Sequence, residues 1–166
     1  MARLLLCAAA GATLAAVSGC GALVAISNPT PTPLHCAKAQ PAIPDDVFAT
    51  SVTLQPGSNG LRFGDIKVGS GPAAQAGQVV SLQYTGWFQT GCEFDSSRVP
   101  GHVPLQFQLG GGQIIPGLEL GVVGMQVGGK RRLEIPPTLA FGATGRPPLV
   151  PPNATLIMNI ELVSVR

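Results

Sequence analysis

The chain has 166 residues, a charged fraction of 11% and a formal net charge of +2. This length suits one domain of ordinary size, and the low charge argues against nucleic-acid binding, which usually requires a basic face. We interpret the single basic run, Lys130-Arg131-Arg132, as the start of a strand that points into water, with a phosphate contact as the alternative.

The first residues have the pattern of an export signal. Arg3 supplies a positive charge, and the apolar stretch from Leu4 to Val17 is too short to span a membrane comfortably. Val17-Ser18-Gly19-Cys20 is similar to the bacterial lipobox, in which small residues precede a cysteine that receives diacylglycerol. We therefore expect residues 1–19 to be a signal peptide. Lipidated Cys20 would then anchor the protein to a bacterial cell-envelope membrane, facing the extracytoplasmic side. An ordinary signal peptide followed by a chance cysteine is the alternative.

Residues 20–44 are expected to form a tether. The repeat Asn28-Pro29-Thr30-Pro31-Thr32-Pro33 favours an extended chain without a core to join. Of the four cysteines, Cys7 leaves with the signal and Cys20 would be acylated. The remaining two, Cys36 and Cys92, are candidates for one disulfide in an oxidising compartment, and two free thiols are the alternative.

The folded domain is expected to occupy residues 61–166, preceded by an N-terminal extension over residues 45–60. The apolar residues of the extension fit either a short strand or a segment that lies over the domain surface: Val47, Phe48, Val52 and Leu54.

From Leu61 onward, apolar and polar residues mostly alternate, which predicts β-strands. Alternating strands favour an antiparallel sheet with one face in water. The first predicted strand is Arg62 to Val68, and a strand with Leu133 and Ile135 inward is predicted later in the chain. Two further strands turn Val80, Leu82 and Tyr84 and then Leu105, Phe107 and Leu109 inward. A long final strand turns Leu156, Met158, Ile160 and Leu162 inward and Asn159 and Glu161 outward.

The segment from Ile114 to Val123 breaks this alternation. Leu118 and Val122 are spaced as on one face of a helix, and Pro116 stands near the helix start. The segment is too short and too rich in glycine to be helical by propensity, so packing against the sheet must hold it. A sheet curled over one short helix is an α+β architecture.

The stretch from Tyr84 to Ser97 carries a candidate polar site. Phe94 places an aromatic ring directly beside the carboxyl group of Asp95. Burying a lone carboxylate is costly, so the pattern favours a hydrogen-bonded acid at the edge of an apolar pocket. The alternative is an aspartate in a Ser-rich turn that bonds its own backbone.

The loop from Ala140 to Thr155 has two Pro-Pro pairs around Leu149-Val150. Prolines restrict the backbone, so two exposed apolar residues would be presented at low entropic cost. This favours a recognition element, and a stiff connection that covers one end of the core is the alternative.

Together these segments resemble the FK506-binding-protein (FKBP) family of peptidyl-prolyl cis-trans isomerases. The order and spacing of the shared motifs match over residues 61–165. The resemblance implies a five- or six-stranded antiparallel sheet around one short helix, with the active pocket between them and no metal or cofactor. The segments that carry it are Tyr84-Thr85-Gly86, Phe94 to Arg98, Ile114 to Glu119, Val127-Gly128, Ala140 to Gly145 and Pro151 to Leu156.

The resemblance also implies the pocket residues. Tyr84, Asp95 and Phe141 would be catalytic, and the substrate-binding set would be Phe94, Leu105, Ile114, Ile115, Leu118, Leu149, Val150 and Met158.

Four of these pocket positions depart from the aromatic residues of well-known members. Leu118 replaces a tryptophan at the pocket floor, Leu105 and Met158 replace other aromatic side chains, and Phe141 lacks a tyrosine hydroxyl. Arg146 stands where the family often has a basic or imidazole residue. We therefore expect weak affinity for macrolides such as FK506 or rapamycin.

The roles of the polar groups stay open at this point. Tyr84 would orient the Asp95 carboxylate or bond the substrate, and Asp95 would face the carbonyl region or fix the pocket geometry. The Ile115 N–H would anchor a substrate carbonyl. The expected function is isomerisation of proline-containing polypeptides during the folding of exported proteins, by a monomer. A catalytically weak binding module for such segments and a purely structural lipoprotein are the alternatives.

Overall fold

A computed structural model describes Phe48 and residues 51–166 of the chain. Within this part, seven antiparallel strands form one sheet, and a single α-helix packs against it. The predicted α+β fold is confirmed, with a very short extra strand. The strands are β1 (Gln55–Pro56), β2 (Arg62–Lys67), β3 (Val79–Phe88), β4 (Glu93–Ser96), β5 (Leu105–Gln108), β6 (Lys130–Ile135) and β7 (Leu156–Val165), and the helix α1 is Pro116–Val122.

The sheet order is β1-β2-β6-β7-β3-β4, and β5 also pairs with β3. Along one edge of β3, β5 pairs with Val79 to Leu82 and β4 pairs with Thr85 to Trp87. The two short strands therefore diverge beside Tyr84. This divergence opens the sheet at the position of the predicted site.

The core lies between α1 and the concave face of the sheet. The inward residues of the predicted strands fill it, including Leu82, Leu133, Leu156 and Leu162, which are fully buried. Leu109, Leu133 and Leu162, expected to be plain core, are part of this cluster.

Two glycines explain why a helix with poor propensity forms here. A Cβ added at Gly117 would lie 2.2 Å from Cγ2 of Ile135, and one added at Gly121 would lie 2.4 Å from Cδ1 of Leu133. The bare backbone of α1 therefore sits directly on β6, and tertiary packing outweighs the weak local preference.

The opposite face of the sheet is less open to water than the alternation predicts. Trp87, Arg132 and Asn159 point to this face, yet they are only 4%, 8% and 4% exposed. Phe48 covers part of this face: its ring makes an edge contact with Trp87 at 6.2 Å, and its carbonyl accepts a 2.7 Å hydrogen bond from Arg132. Asn159 turns away from the core as predicted, but it is buried, and Arg132 of the neighbouring strand hydrogen-bonds to it.

The basic run begins β6 as predicted, but its side chains do not point into water. Arg132 donates from Nε to Oδ1 of Asn159 at 2.9 Å. Arg131 donates from Nε to Oδ1 of Asp65 at 2.6 Å and from a second nitrogen to the carbonyl of Gly121 at 2.9 Å. Both cations therefore have structural partners, because neighbouring strands and α1 supply acceptors beside them.

Replacing Phe48 with alanine is expected to uncover Trp87, the only tryptophan of the chain. Loss of the aromatic contact should lower the free energy of unfolding by about 1 kcal/mol and move the tryptophan emission to longer wavelength. Val103→Ala, at a highly exposed position, is the control. An unchanged emission maximum in the Phe48 variant would contradict the proposed cover.

Several predictions fall outside the part of the chain that the structure describes. They are the signal peptide, Cys20, the tether with Cys36, and the first residues of the extension. Cys92 is disulfide-bonded, and its partner also lies outside the described residues, so the pairing with Cys36 stays a prediction. Among residues 51–166, no helix is long and apolar enough to cross a membrane.

Candidate active site

A cavity of about 560 Å³ opens beside the N-terminal end of α1, where β4 and β5 diverge from β3. Its size is in the range typical of small-ligand pockets. The structure brings every residue predicted for the pocket to its wall. The lining residues are Tyr84, Phe94, Asp95, Leu105, Gln113, Ile114, Ile115, Pro116, Leu118, Ala140, Phe141, Arg146, Leu149, Val150, Leu156 and Met158.

The deep wall of the cavity is aliphatic. Leu118 from α1, Met158 from β7 and Val150 from the Pro-rich loop are buried in the core and also face the cavity. Because these side chains pack against the core on their other sides, the apolar surface is present before any ligand binds.

The Tyr84–Asp95 pair is the main polar feature of the wall. The Tyr84 hydroxyl donates a hydrogen bond of 2.8 Å to Oδ2 of Asp95. Asp95 therefore has a side-chain partner from the neighbouring strand, as the pocket interpretation predicts. The turn interpretation is wrong, because serines make the local backbone bonds instead: Tyr84 N–H donates to Oγ of Ser97 at 2.8 Å.

A bulge lets Phe94 and Asp95 share the same wall. Neighbouring residues of a regular strand point to opposite faces. In β4, Asp95 pairs with Gly86 and Glu93 pairs with Trp87, which are adjacent in β3. Phe94 is therefore an extra residue with no pairing partner in β3, which defines a β-bulge. The Phe94 ring lies on the bare backbone of Gly86, where an added Cβ would be 2.6 Å from Cζ.

The environment of Tyr84 keeps its hydroxyl protonated. Burial raises the pKa of Tyr84 well above its ordinary value, and the hydrogen bond to Asp95 and the negative charge of that carboxylate raise it further. The positive charge of Arg146 acts in the opposite direction. The phenol is therefore a hydrogen-bond donor throughout the physiological pH range.

This pKa can be tested directly because Tyr84 is the only tyrosine. Absorbance titration of the folded protein should show tyrosinate forming well above pH 10, and Asp95→Asn should lower the midpoint because the carboxylate charge is gone. Since the folded state holds the proton more tightly, the stability due to Tyr84 is complete below about pH 10 and is lost as the pH rises through the folded-state pKa. A midpoint near 10 while the protein stays folded would refute the assignment.

The Pro-rich loop closes one side of the cavity. Arg146 and Val150 exchange backbone hydrogen bonds of 2.8 and 2.9 Å across the turn that contains Pro147 and Pro148. Leu149 is 49% exposed at the rim, but Val150 is only 3% exposed. The expectation that both are exposed is wrong for Val150, because the bridge turns it into the core.

Two further predicted residues lie where a substrate would meet the helix and the loop. Phe141 lines the cavity and offers an apolar ring with no hydroxyl. Ile115 precedes α1, and its N–H has no hydrogen-bond partner among the described residues. This N–H is therefore available to a ligand, as expected for an amide before a helix.

The predicted pocket set did not include five of the lining residues: Gln113, Pro116, Ala140, Arg146 and Leu156. Leu156 had a signal in the sequence, because it shares the alternation of Met158. Pro116 and Gln113 adjoin the predicted Ile114-Ile115 pair. Their positions depend on how the loop before α1 turns, and alternation does not determine this.

Several known proteins share the sequence pattern of this domain. The family model for the FKBP-type peptidyl-prolyl cis-trans isomerase matches residues 71–163. FK506-binding protein 4 of Dictyostelium discoideum is 48% identical over 106 residues, which cover 64% of this chain and 28% of that protein. The FK506-binding protein of Neisseria meningitidis serogroup B is 43% identical over 106 residues, covering 64% of this chain and 96% of that protein.

A solved structure agrees with these sequence matches. The crystal structure of FkpA from Escherichia coli superimposes with a TM-score of 0.63 at 39% identity, over 72% of this chain and 54% of that one. This chain spans little more than a quarter of the Dictyostelium relative, 28%, but nearly all of the Neisseria relative. The family predicted from the sequence is confirmed, and the chain belongs to the FKBP-type peptidyl-prolyl cis-trans isomerases.

Proposed function

We propose that this domain catalyses the cis-trans isomerisation of peptide bonds that precede proline. The observation that supports it best is a preformed apolar cavity of about 560 Å³ with one hydrogen-bonded acid in its wall. Membership of an isomerase family supports the same assignment. The substrate class is polypeptides with an accessible proline.

The reaction depends on moving the amide from water into an apolar cavity more than on a nucleophilic or acid-base group. Resonance keeps the amide planar and imposes a rotation barrier of roughly 18–20 kcal/mol, so X–Pro bonds exchange over tens to hundreds of seconds. The planar amide is polar and well solvated by water, whereas the twisted transition state is less so. An apolar cavity therefore disfavours the planar amide more than the twisted one.

Each part of the wall has a role in this proposal. The apolar side chains hold the proline ring, and the free N–H of Ile115 anchors a substrate carbonyl. The Tyr84 hydroxyl fixes the Asp95 carboxylate through their 2.8 Å hydrogen bond. Asp95 then faces the rotating carbonyl. Phe141 contributes apolar surface, and the hydroxyl that a tyrosine would offer is absent.

A protease-coupled assay on an Ala-Leu-Pro-Phe peptide tests the activity, and NMR exchange between its two isomers tests it without a protease. We expect exchange to be accelerated at catalytic concentrations of the protein. Binding of the peptide with no change in exchange rate would favour a second candidate, a binding module of the same fold. The aliphatic residues Leu105, Leu118 and Met158 in the cavity wall are the observation that favours this candidate.

We also propose that the protein is a monomeric, lipid-anchored isomerase of the bacterial cell envelope that assists the folding of exported proteins and binds FK506-like macrolides weakly. The lipobox-like sequence ending at Cys20 supports the anchor, and the disulfide at Cys92 supports an oxidising compartment. Mass spectrometry of the full chain after expression in a bacterium should find diacylglycerol on Cys20. An unmodified N-terminus at another residue would refute the anchor but leave the isomerase proposal intact.

A further inference from the structure

The mouth of the cavity carries a cation that has no partner among the residues that the structure describes. Among the described residues, Arg62, Arg98 and Arg131 each form an ion pair with a carboxylate. Arg146 is exposed at the cavity wall, and its guanidinium makes no ion pair or hydrogen bond within that part of the chain. Its charge is therefore available to a ligand.

The loop holds the backbone of Arg146 in a fixed place. The Arg146 N–H donates to the Val150 carbonyl at 2.8 Å, and the Val150 N–H donates back at 2.9 Å. Val150 is buried in the core, which ties the bridge to the body of the domain. Because the backbone is ordered before binding, only the arginine side chain would lose freedom when it meets a charged ligand.

The positive charge of Arg146 affects Tyr84 inside the cavity as well as any ligand at the rim. Arg146 is near enough to Tyr84 for its positive charge to oppose the upward shift of the Tyr84 pKa. Asp95 is occupied by the Tyr84 hydroxyl. The cavity thus combines an apolar site for proline, the Asp95 carboxylate with its Tyr84 hydrogen bond, and a positive charge at Arg146 that has no ion-pair partner among the described residues.

We propose that Arg146 is a specificity-determining residue that favours substrates with an acidic side chain directly before or after the proline. The inference rests on the proposed isomerase function and specifies its substrate class. Exposed ion pairs are weak, so the preference for glutamate over glutamine at that position should be roughly two- to fivefold in kcat/KM at low ionic strength. Salt should reduce it, because about 1 M salt screens charges beyond about 3 Å.

The test uses NMR exchange, which avoids the sequence preference of a coupling protease. Two peptide series place glutamate, glutamine or lysine directly before or directly after the proline. In the unaltered protein, kcat/KM should follow the order glutamate, glutamine, lysine in at least one series. Arg146→Gln should bring the glutamate-to-glutamine ratio near one, Arg146→Lys should retain a preference, and Arg146→Glu should reverse it.

Arg62→Gln is the matched control, because it removes an exposed arginine that pairs with Glu134 and does not line the cavity. Its ratio should equal that of the unaltered protein. A ratio of one in both series with normal turnover of the glutamine peptides would overturn the specificity proposal alone, as would a ratio that Arg146→Gln leaves unchanged. Absence of turnover on every peptide would overturn the isomerase proposal, and the inference with it.

Discussion

Replacing Asp95 with leucine is expected to lower isomerase turnover by about tenfold to a hundredfold while the domain stays folded. The carboxylate is partly buried in the cavity wall and accepts the Tyr84 hydrogen bond at 2.8 Å. We expect the lost interaction between this carboxylate and the rotating amide to be as strong as a hydrogen bond to a charged group, about 1.5–3 kcal/mol, which corresponds to roughly that range of rate when it is made only in the transition state. Leucine has the same branched shape as aspartate, with two larger methyl groups in place of the oxygens, so the wall stays filled. The measurement is turnover of the Ala-Leu-Pro-Phe peptide, alongside a urea unfolding curve.

Two matched variants separate the roles that the sequence leaves open. Asp95→Asn keeps the shape but removes the charge, and Tyr84→Phe removes only the hydroxyl. If Asp95 acts through the geometry that Tyr84 fixes, the losses in Tyr84→Phe and Asp95→Leu will be far from additive in the double variant. Unchanged turnover in Asp95→Leu would remove this carboxylate from the mechanism.

Replacing Gly117 with alanine is expected to destabilise the domain by roughly 2 kcal/mol, although alanine is the better helix former. The new Cβ would stand 2.2 Å from Cγ2 of Ile135. Ile135 is fully buried and its β-branched side chain has little freedom to turn, so α1 must move away from the sheet. Overpacking of this kind costs about 1–3 kcal/mol, more than the gain of up to about 1 kcal/mol in propensity. Urea denaturation measures the change.

The neighbouring residues supply the control and the rescue. Leu120→Ala changes an exposed position of the same helix and should have little effect. Ile135→Ala removes the methyl group that collides with the new Cβ, so the Gly117→Ala, Ile135→Ala double variant should be less destabilised than the sum of its parts. A stabilised Gly117→Ala protein would show that the helix does not press on the sheet as described.

Much of the fold could be predicted because its strands keep one face in the core. Alternation locates Leu82, Leu133 and Leu162 inside, and the family resemblance places Tyr84 and Asp95 together. Alternation fails on the outer face, because it does not show that Phe48 contacts Trp87 and Arg132. These contacts join residues far apart in the chain. They arise from where the extension runs, and no local pattern records that path.

In the site, too, local alternation does not predict the orientation of every side chain. A regular strand would place Phe94 and Asp95 on opposite faces, and only the pairing with β3 shows the bulge that unites them. Val150 is a second case, because its apolar character fits exposure at a recognition tip as well as burial. The backbone hydrogen bonds between Val150 and Arg146 determine that Val150 is buried, and these bonds depend on the turn that the prolines make.

The bulge in β4 makes the site sensitive to chain length as well as to side-chain identity. Removing one residue between Glu93 and Asp95 would restore regular pairing and turn one side chain away from the cavity, whatever residues remained. Substitutions around the cavity can therefore accumulate, as the aliphatic wall shows, while insertions and deletions in this short strand cannot. Within the family, the site should thus tolerate variation in its composition more readily than in its spacing, and Gly86 is the position that allows that spacing.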